Sequence, residues 1–374
     1  MSRRILYVVT EDWYFQSHRL PMARAARSVG FEVHVATRLQ DAGEAIKSEG
    51  FKVHNIAWDR GSLSPADNSR AIAKLRRTIA SISPNIVHNV AMKPALLGSI
   101  AALGHTNLAV VNSINGLGTL FLARSMSRRM LRAGIEGGLA RLMNRPHTRV
   151  VVQNMDDFAR FEECGVAPGQ IVLISGSGVD TERFQVTPEP RGPLRAAFVG
   201  RMLEDKGVRC LVAAYDLLRE RNISLSLVLA GPTDPANPTS IPVEELESWN
   251  QKSGIEWHGH VDNIVQLWRD MHFAVLPSRR EGLPLSLLEA AASGRAMVAS
   301  DTVGCREIAI EGVTALTHRV DDAEALANAL ARMTNDGELR AQLGTNARRY
   351  VEEKFSAQII GKETVALYES LLNH

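Results

Sequence analysis

The sequence predicts an α/β chain in two similar halves, each a parallel β-sheet covered by helices on both faces. Three observations predict it. Short β-branched runs alternate with helix-length amphipathic stretches from end to end. The alternation breaks once, in a crowd of glycines and prolines, and then restarts. The 374 residues also exceed what one ordinary core of roughly 100–200 residues holds.

In the first half, Ile5–Val9, Glu32–Ala36, Val53–Ile56, Ile86–His88, Ala109–Asn112 and Val150–Val152 read as buried strands. Ser17–Val29, Ala66–Ser83 and Lys93–Leu103 read as helices between them. Ser175–Pro193, with Gly176, Gly178, Pro188, Pro190, Gly192 and Pro193, has the composition of a linker. The rhythm resumes with strands Leu194–Val199, Leu225–Ala230, Phe273–Leu276 and Ala296–Ser300 and helices Val208–Arg221 and Leu285–Ser293. Helical segments near Ala323–Met333, Gly337–Glu353 and Ala357–Leu372 close the chain. The expected division is 1–178 against 179–356. The natural ligand position in such sheets is the crevice at the carboxyl ends of the strands.

Composition narrows the function classes. With 45% hydrophobic and 22% charged residues the chain is neither disordered nor collagen-like. Cys164, Cys210 and Cys305 fit no metal or redox spacing, which suits a reducing cytosol. No apolar run approaches ~18 residues, so no membrane span is expected, and Ser2-Arg3-Arg4 leads into a strand-like run rather than a signal peptide. The net charge of +2 hides a split: residues 1–180 carry +8 and residues 181–374 carry −6. A basic first half attracts anionic partners.

Gly116-Leu117-Gly118 and Gly176-Ser177-Gly178 lack the third glycine of a dinucleotide loop, which disfavours a simple dehydrogenase. In Gly200-Arg201-Met202-Leu203-Glu204-Asp205-Lys206-Gly207, a strand end, a flexible glycine and two cations precede a helix, a set suited to a diphosphate. In Glu281-Gly282-Leu283-Pro284-Leu285-Ser286, continuing to Glu289, a turn opens a helix whose first amides can face a phosphate or sugar oxygen. Glu289, one turn in, suits a ribose diol, and Glu281 suits the hydroxyls of a second sugar. No metal-ligand cluster is visible.

Glu281 and Glu289 form the E-x7-E element of retaining GT-B glycosyltransferases, and nearly the whole chain resembles glycosyltransferase family 4. Gly200-Arg201 with Lys206 resembles the family's diphosphate loop, Gly259-His260-Val261-Asp262 its nucleobase-contacting loop, and Gly304-Cys305-Arg306-Glu307-Ile308 with Gly312 the segment after the E-x7-E helix. His18-Arg19-Leu20-Pro21, His88 with Lys93-Pro94, Asn115-Gly116-Leu117-Gly118, and Gln153-Asn154 with Asp156-Asp157 resemble a bacterial branch that adds sugars, such as N-acetylgalactosamine, to undecaprenyl-diphosphate-linked saccharides. The resemblance implies two facing Rossmann-like domains with a central cleft and a last helix, about 357–374, crossing back to the first domain. It implies a retaining, metal-independent enzyme using a UDP-sugar as substrate, with no further cofactor and no nucleic-acid partner. It also implies a cytoplasmic protein resting on the inner membrane. Many family members carry His-Gly where this chain has Asn115-Gly116, and Asn cannot take a proton at neutral pH. Same-face attack, with the leaving diphosphate accepting the acceptor's proton, needs no base there.

Other residues are assigned to the acceptor. His18, His88, Lys93 and Gly116 are acceptor or diphosphate contacts by resemblance, and Phe15, with Trp13 and Tyr14, lines the acceptor groove. Asn154, Asp156 and Asp157 read as helix capping. Seven arginines and one acid lie between Arg124 and Arg149, and Arg124, Arg128 and Arg132 stack on one helical face, which suits an anionic membrane or a lipid diphosphate. Two further classes fit less well: a nucleotide-sugar epimerase of the same shape, which needs no acceptor, and a nucleic-acid binder, for which no reading module is present.

Overall fold

A computed structural model describes residues 3–58, 64–114, 137–235 and 237–373. The chain divides into two compact units, Met1–Ser177 together with Gln358–His374, and Gly178–Ala357. In the first unit, β1 (Arg3–Glu11), β2 (Phe31–Arg38), β3 (Lys52–Asn55), β4 (Ile86–Val90), β5 (Ala109–Ser113), β6 (Thr148–Val152) and β7 (Ile171–Leu173) form one sheet in the order β3-β2-β1-β4-β5-β6-β7. In the second, β8 (Arg195–Val199), β9 (Ser226–Ala230), β10 (Ile255–Gly259), β11 (Phe273–Leu276), β12 (Ala296–Ser300) and β13 (Ala315–His318) run β10-β9-β8-β11-β12-β13. Every pairing is parallel. Strand order reverses between β1 and β4 in one sheet and between β8 and β11 in the other, the switch points where successive loops diverge and leave room for a ligand.

The α-helices described up to Ser177 are α1 (Asp12–His18), α2 (Leu20–Ser28), α3 (Gly43–Ser48), α4 (Pro65–Ile82), α5 (Met92–Ala101) and α6 (Met155–Glu163). Those that follow are α7 (Val208–Glu220), α8 (Val243–Asn250), α9 (Ile264–Arg269), α10 (Leu285–Ala292), α11 (Ala323–Asn335), α12 (Gly337–Lys354) and α13 (Ala357–Leu372). Their starts are chemically marked: Asn154, Asp322 and Asp336 accept from the amides of Asp157, Ala325 and Leu339, each cap contributing about 1 kcal/mol. Among the described residues no helix is long and apolar enough to cross a membrane.

The Gly/Pro-rich stretch proves to be packed rather than free. From Val179 onward it lies against the second unit: Val179 and Phe184 enter that core. Three arginines strap it down. Arg348 donates to the Thr181 and Phe184 carbonyls, Arg295 to the Thr187 carbonyl and hydroxyl, and Arg340 pairs with Glu189 at 3.0 Å. Its poverty in side chains that pack is offset by cations that satisfy its carbonyls, a feature that composition does not reveal.

α13 belongs to the first unit because its apolar face is needed there. Ile360, Leu367, Tyr368 and Leu371 share a core with Ile5, Tyr7, Phe15 and Phe31. At its centre is a hydrogen-bonded chain: the Tyr368 hydroxyl meets the Tyr7 hydroxyl at 2.9 Å and His88 Nδ1 at 2.5 Å, while His88 Nε2 meets the Ser113 hydroxyl at 2.6 Å. Burial, reinforced by the charge of Arg19, holds the His88 imidazole well below its ordinary pKa, so the ring stays neutral. Removing the Tyr368 hydroxyl leaves a buried imidazole nitrogen short of a partner. Tyr368→Phe is expected to cost about 1–3 kcal/mol in denaturant unfolding; an unchanged midpoint would show the chain to be energetically idle.

Candidate donor site in the second unit

The loops that follow β8 and β11 meet at the switch point of the second sheet, and backbone contacts fix both. Gly231, at φ 143°, stands so close to Gly200 that a Cβ there would lie 1.9 Å from the Gly200 carbonyl oxygen. Beyond Gly200 the chain is zipped to residues 232–241 through Met202 N–Pro232 O at 2.9 Å, Ile241 N–Met202 O at 2.9 Å and Glu204 N–Thr239 O at 2.8 Å. The short turn Glu204–Lys206 closes on Gly207, at φ 72°, where a Cβ would fall 2.0 Å from the Pro277 carbonyl oxygen. Only glycine permits both the left-handed backbone and that approach.

The second loop is held from below. The Arg279 amide donates to the Asp205 carbonyl at 2.9 Å. The Ser300 hydroxyl bonds the Ser278 carbonyl, and the Thr302 hydroxyl bonds the Arg279 carbonyl at 2.7 Å. Gly282-Leu283-Pro284 then turns into α10. There the Leu287 and Leu288 amides return to the Pro284 carbonyl at 3.2 Å, and the amides of Leu285 and Ser286 precede them at the helix start.

On this frame the charged groups assemble. Lys206 Nζ lies 2.6 and 2.8 Å from the two Glu281 oxygens, although 75 residues separate them. Arg201 donates through Nη1 to Asp234, in the loop after β9. Arg279 bonds Asp321 at 2.9 and 3.0 Å. Glu289 is half-buried on the second turn of α10. Burial pushes its carboxyl up to about 7, against the opposing pull of the Arg183 charge. Gly259, at φ 61°, receives the Gly231 amide on its carbonyl at 2.6 Å and leads to exposed His260, whose Nε2 is 3.3 Å from Asp262. Val261 packs partly against the unit's core.

The structure thus brings together Gly200, Arg201, Lys206, Glu281 and Gly282 on adjoining loops, with Leu283, Pro284, Leu285, Ser286 and Glu289 continuing from them. Asp234 escaped the sequence reading; a Gly231-Pro232 turn after a strand was its only local signal, and its partner became visible only through folding.

The acceptor candidates fare differently. Phe15 is a core residue, fully buried and edge-on to Tyr7 and Phe51, so it lines no groove. His88 is corrected likewise: it is buried with both ring nitrogens bonded to protein. His18 ends α1 and directly precedes Arg19, the N-cap of α2; its ring stacks on Tyr14 at 4.2 Å, and Ser17 bonds its Nδ1 at 2.7 Å. Trp13 is exposed beside Tyr14. Lys93 is half-buried in the first turn of α5. Asn115, Gly116, Arg124, Arg128 and Arg132 lie outside the described residues.

Comparison with known proteins adds to this geometry. Residues 193–336 match the model of glycosyl transferases group 1, and residues 4–153 match that of the glycosyl transferase 4-like domain. The chain is 24% identical to the N,N'-diacetylbacillosaminyl-diphospho-undecaprenol alpha-1,3-N-acetylgalactosaminyltransferase of Campylobacter jejuni, over 95% of this chain and 96% of that one. Among solved structures it resembles sucrose-phosphate synthase from Thermosynechococcus elongatus (TM-score 0.83, 20% identity, 99% of both chains). It also resembles Anabaena Alr3699/HepE in complex with UDP-glucose (TM-score 0.78, 16% identity, 98% of this chain and 99% of that one). The fold is theirs, of the GT-B kind, and these matches leave the epimerase alternative without support. With a 4-like domain in its first half and a group 1 domain in its second, the chain belongs to the family-4 type of glycosyltransferases.

Proposed function

We propose that this glycosyltransferase moves a sugar, with retention of anomeric configuration, from a UDP-sugar to a polyprenyl-diphosphate-linked saccharide in the synthesis of a surface polysaccharide or glycan. The observation that carries the reading is the joint placement of Lys206 and Glu281 at the switch point, with Arg201 on the Lys206 loop and Glu289 following Glu281 on α10. Arg201 and Lys206 take the diphosphate, Glu289 the ribose diol, and Glu281 with the α10 amides the transferred sugar. The loop at His260 and Val261 takes the base through its backbone. The Campylobacter relative's name, with its undecaprenol-linked substrate, supports the acceptor class and an N-acetylhexosamine donor; the Anabaena complex supports UDP.

In the proposed reaction the bond from the anomeric carbon to the diphosphate oxygen breaks, and the acceptor oxygen bonds to that carbon on the same face. The acceptor's proton passes to the departing diphosphate. Negative charge grows there, and two fixed cations with helix-start amides address it directly. No protein base at Asn115 is required, and neither a metal ion nor a cofactor enters this reading. The basic first half, with its arginines from Arg124 to Arg149, would rest on the anionic cytoplasmic face of the membrane.

The direct test offers a panel of nucleotide sugars with polyprenyl-diphosphate saccharides and reads products by mass spectrometry. A UDP-sugar giving an acceptor one sugar heavier is expected; conversion of donor to an epimer without acceptor would defeat the reading. A second test concerns pH. A diol donates to the ionised carboxylate, so binding favours loss of the Glu289 proton. Affinity for a UDP-sugar is expected to rise as pH climbs toward about 7, by up to about tenfold per unit, and to level above it. Calorimetry should find this slope lost in Glu289→Gln; the same slope in the variant would remove Glu289 from the site.

A further inference from the structure

Resting on that reading of Arg201 as a diphosphate ligand, we propose that Asp234 is the positioning residue that aims the Arg201 guanidinium at the donor. Its carboxylate engages one terminal nitrogen, Nη1. Among the described residues, Arg201 makes no side-chain bond through Nε or Nη2, so those donors of the planar fork remain for two diphosphate oxygens. The pair is not a loose surface contact, since the Arg201 and Asp234 side chains are 34% and 18% exposed.

Asp234 is itself held by main-chain contacts. Its amide donates to the Ser240 hydroxyl at 3.0 Å, and its carbonyl accepts from the Asn237 amide at 2.7 Å. The loop that carries it is joined to the Arg201 loop through Met202 N–Pro232 O and Ile241 N–Met202 O. A flexible arginine would lose rotamer freedom on binding; one already fixed by a carboxylate loses less, which favours association. The arrangement mirrors Lys206 on Glu281, but with a division of labour. In that reading Glu281 serves the transferred sugar, whereas Asp234 acts through Arg201.

The experiment measures UDP affinity of the full chain by calorimetry in a double-mutant cycle. Asp234→Ala is expected to weaken binding about tenfold, and Asp234→Asn, which keeps an acceptor oxygen for Nη1, to recover most of that loss. In an Arg201→Ala background, Asp234→Ala is expected to change affinity by less than about twofold. Melting temperatures close to the parent's accompany these results, because the Asp234 amide and carbonyl bonds remain when its side chain is cut. Tighter UDP binding in Asp234→Ala would overturn the proposal and make Asp234 a competitor of the diphosphate. An equal loss in the Arg201→Ala background, or no rescue by Asn, would also overturn it. Undiminished UDP binding in Arg201→Ala alone contradicts the underlying donor assignment instead, so the two failures are distinguishable.

Discussion

The contact on which the second unit's site depends is the Lys206 ammonium set between both oxygens of Glu281. Each residue sits at the tip of a loop leaving a neighbouring strand, β8 or β11, and the pair forms only because those loops approach to backbone contact. Gly207 under the Pro277 carbonyl and Gly304 under the Glu281 and Gly282 carbonyls make the approach sterically possible. Desolvation offsets much of the Coulomb attraction in such a half-buried pair, so its contribution lies in register more than in net stability. It sets a cation and a carboxylate where a sugar diphosphate would present an anion next to hydroxyls.

The local charges are matched within the chain: Arg201 with Asp234, Lys206 with Glu281. A site with two bare cations would carry a large self-repulsion and would bind any anion. A matched one favours ligands that offer both charge and geometry. The acidic balance of the chain's second half is therefore no obstacle to a diphosphate, because the field at the loop is decided by its own charged side chains and a helix start.

Much of this was legible in the sequence because the chemistry lies in short contiguous stretches. Strand, glycine, cation and helix follow one another from Phe198 to Val208, and strand, acid, turn and helix from Phe273 to Glu289. Short strands that are apolar and fully buried were read to their ends, as at Phe273–Leu276 and Ala296–Ser300. Three of the four edge strands were missed, Ile171–Leu173 being only three residues, Ile255–Gly259 alternating polar side chains, and Ala315–His318 only four residues, whereas the edge strand Lys52–Asn55 was read as Val53–Ile56. Also missed were the short helices at Gly43–Ser48, Val243–Asn250 and Ile264–Arg269, which are too brief for a periodicity to emerge. Phe15 and His88 were misassigned for a different reason. Next to a strand end, a sequence does not state which face a ring takes, and the hydroxyl that claims His88 comes from Tyr368, 280 residues away. Asp234 was invisible on the same ground.

The two units thus use their polar groups differently. In the first, the polar groups of His88, Tyr7 and Tyr368 are consumed in holding α13 against the sheet. In the second, the polar groups converge on a prebuilt frame of backbone contacts. The central claim is that this frame is the donor site, and amide hydrogen exchange of the full chain with and without UDP tests it most directly. UDP is predicted to slow exchange at residues 200–207 and 282–289. Unchanged exchange there, with protection confined to the first unit, would contradict the account.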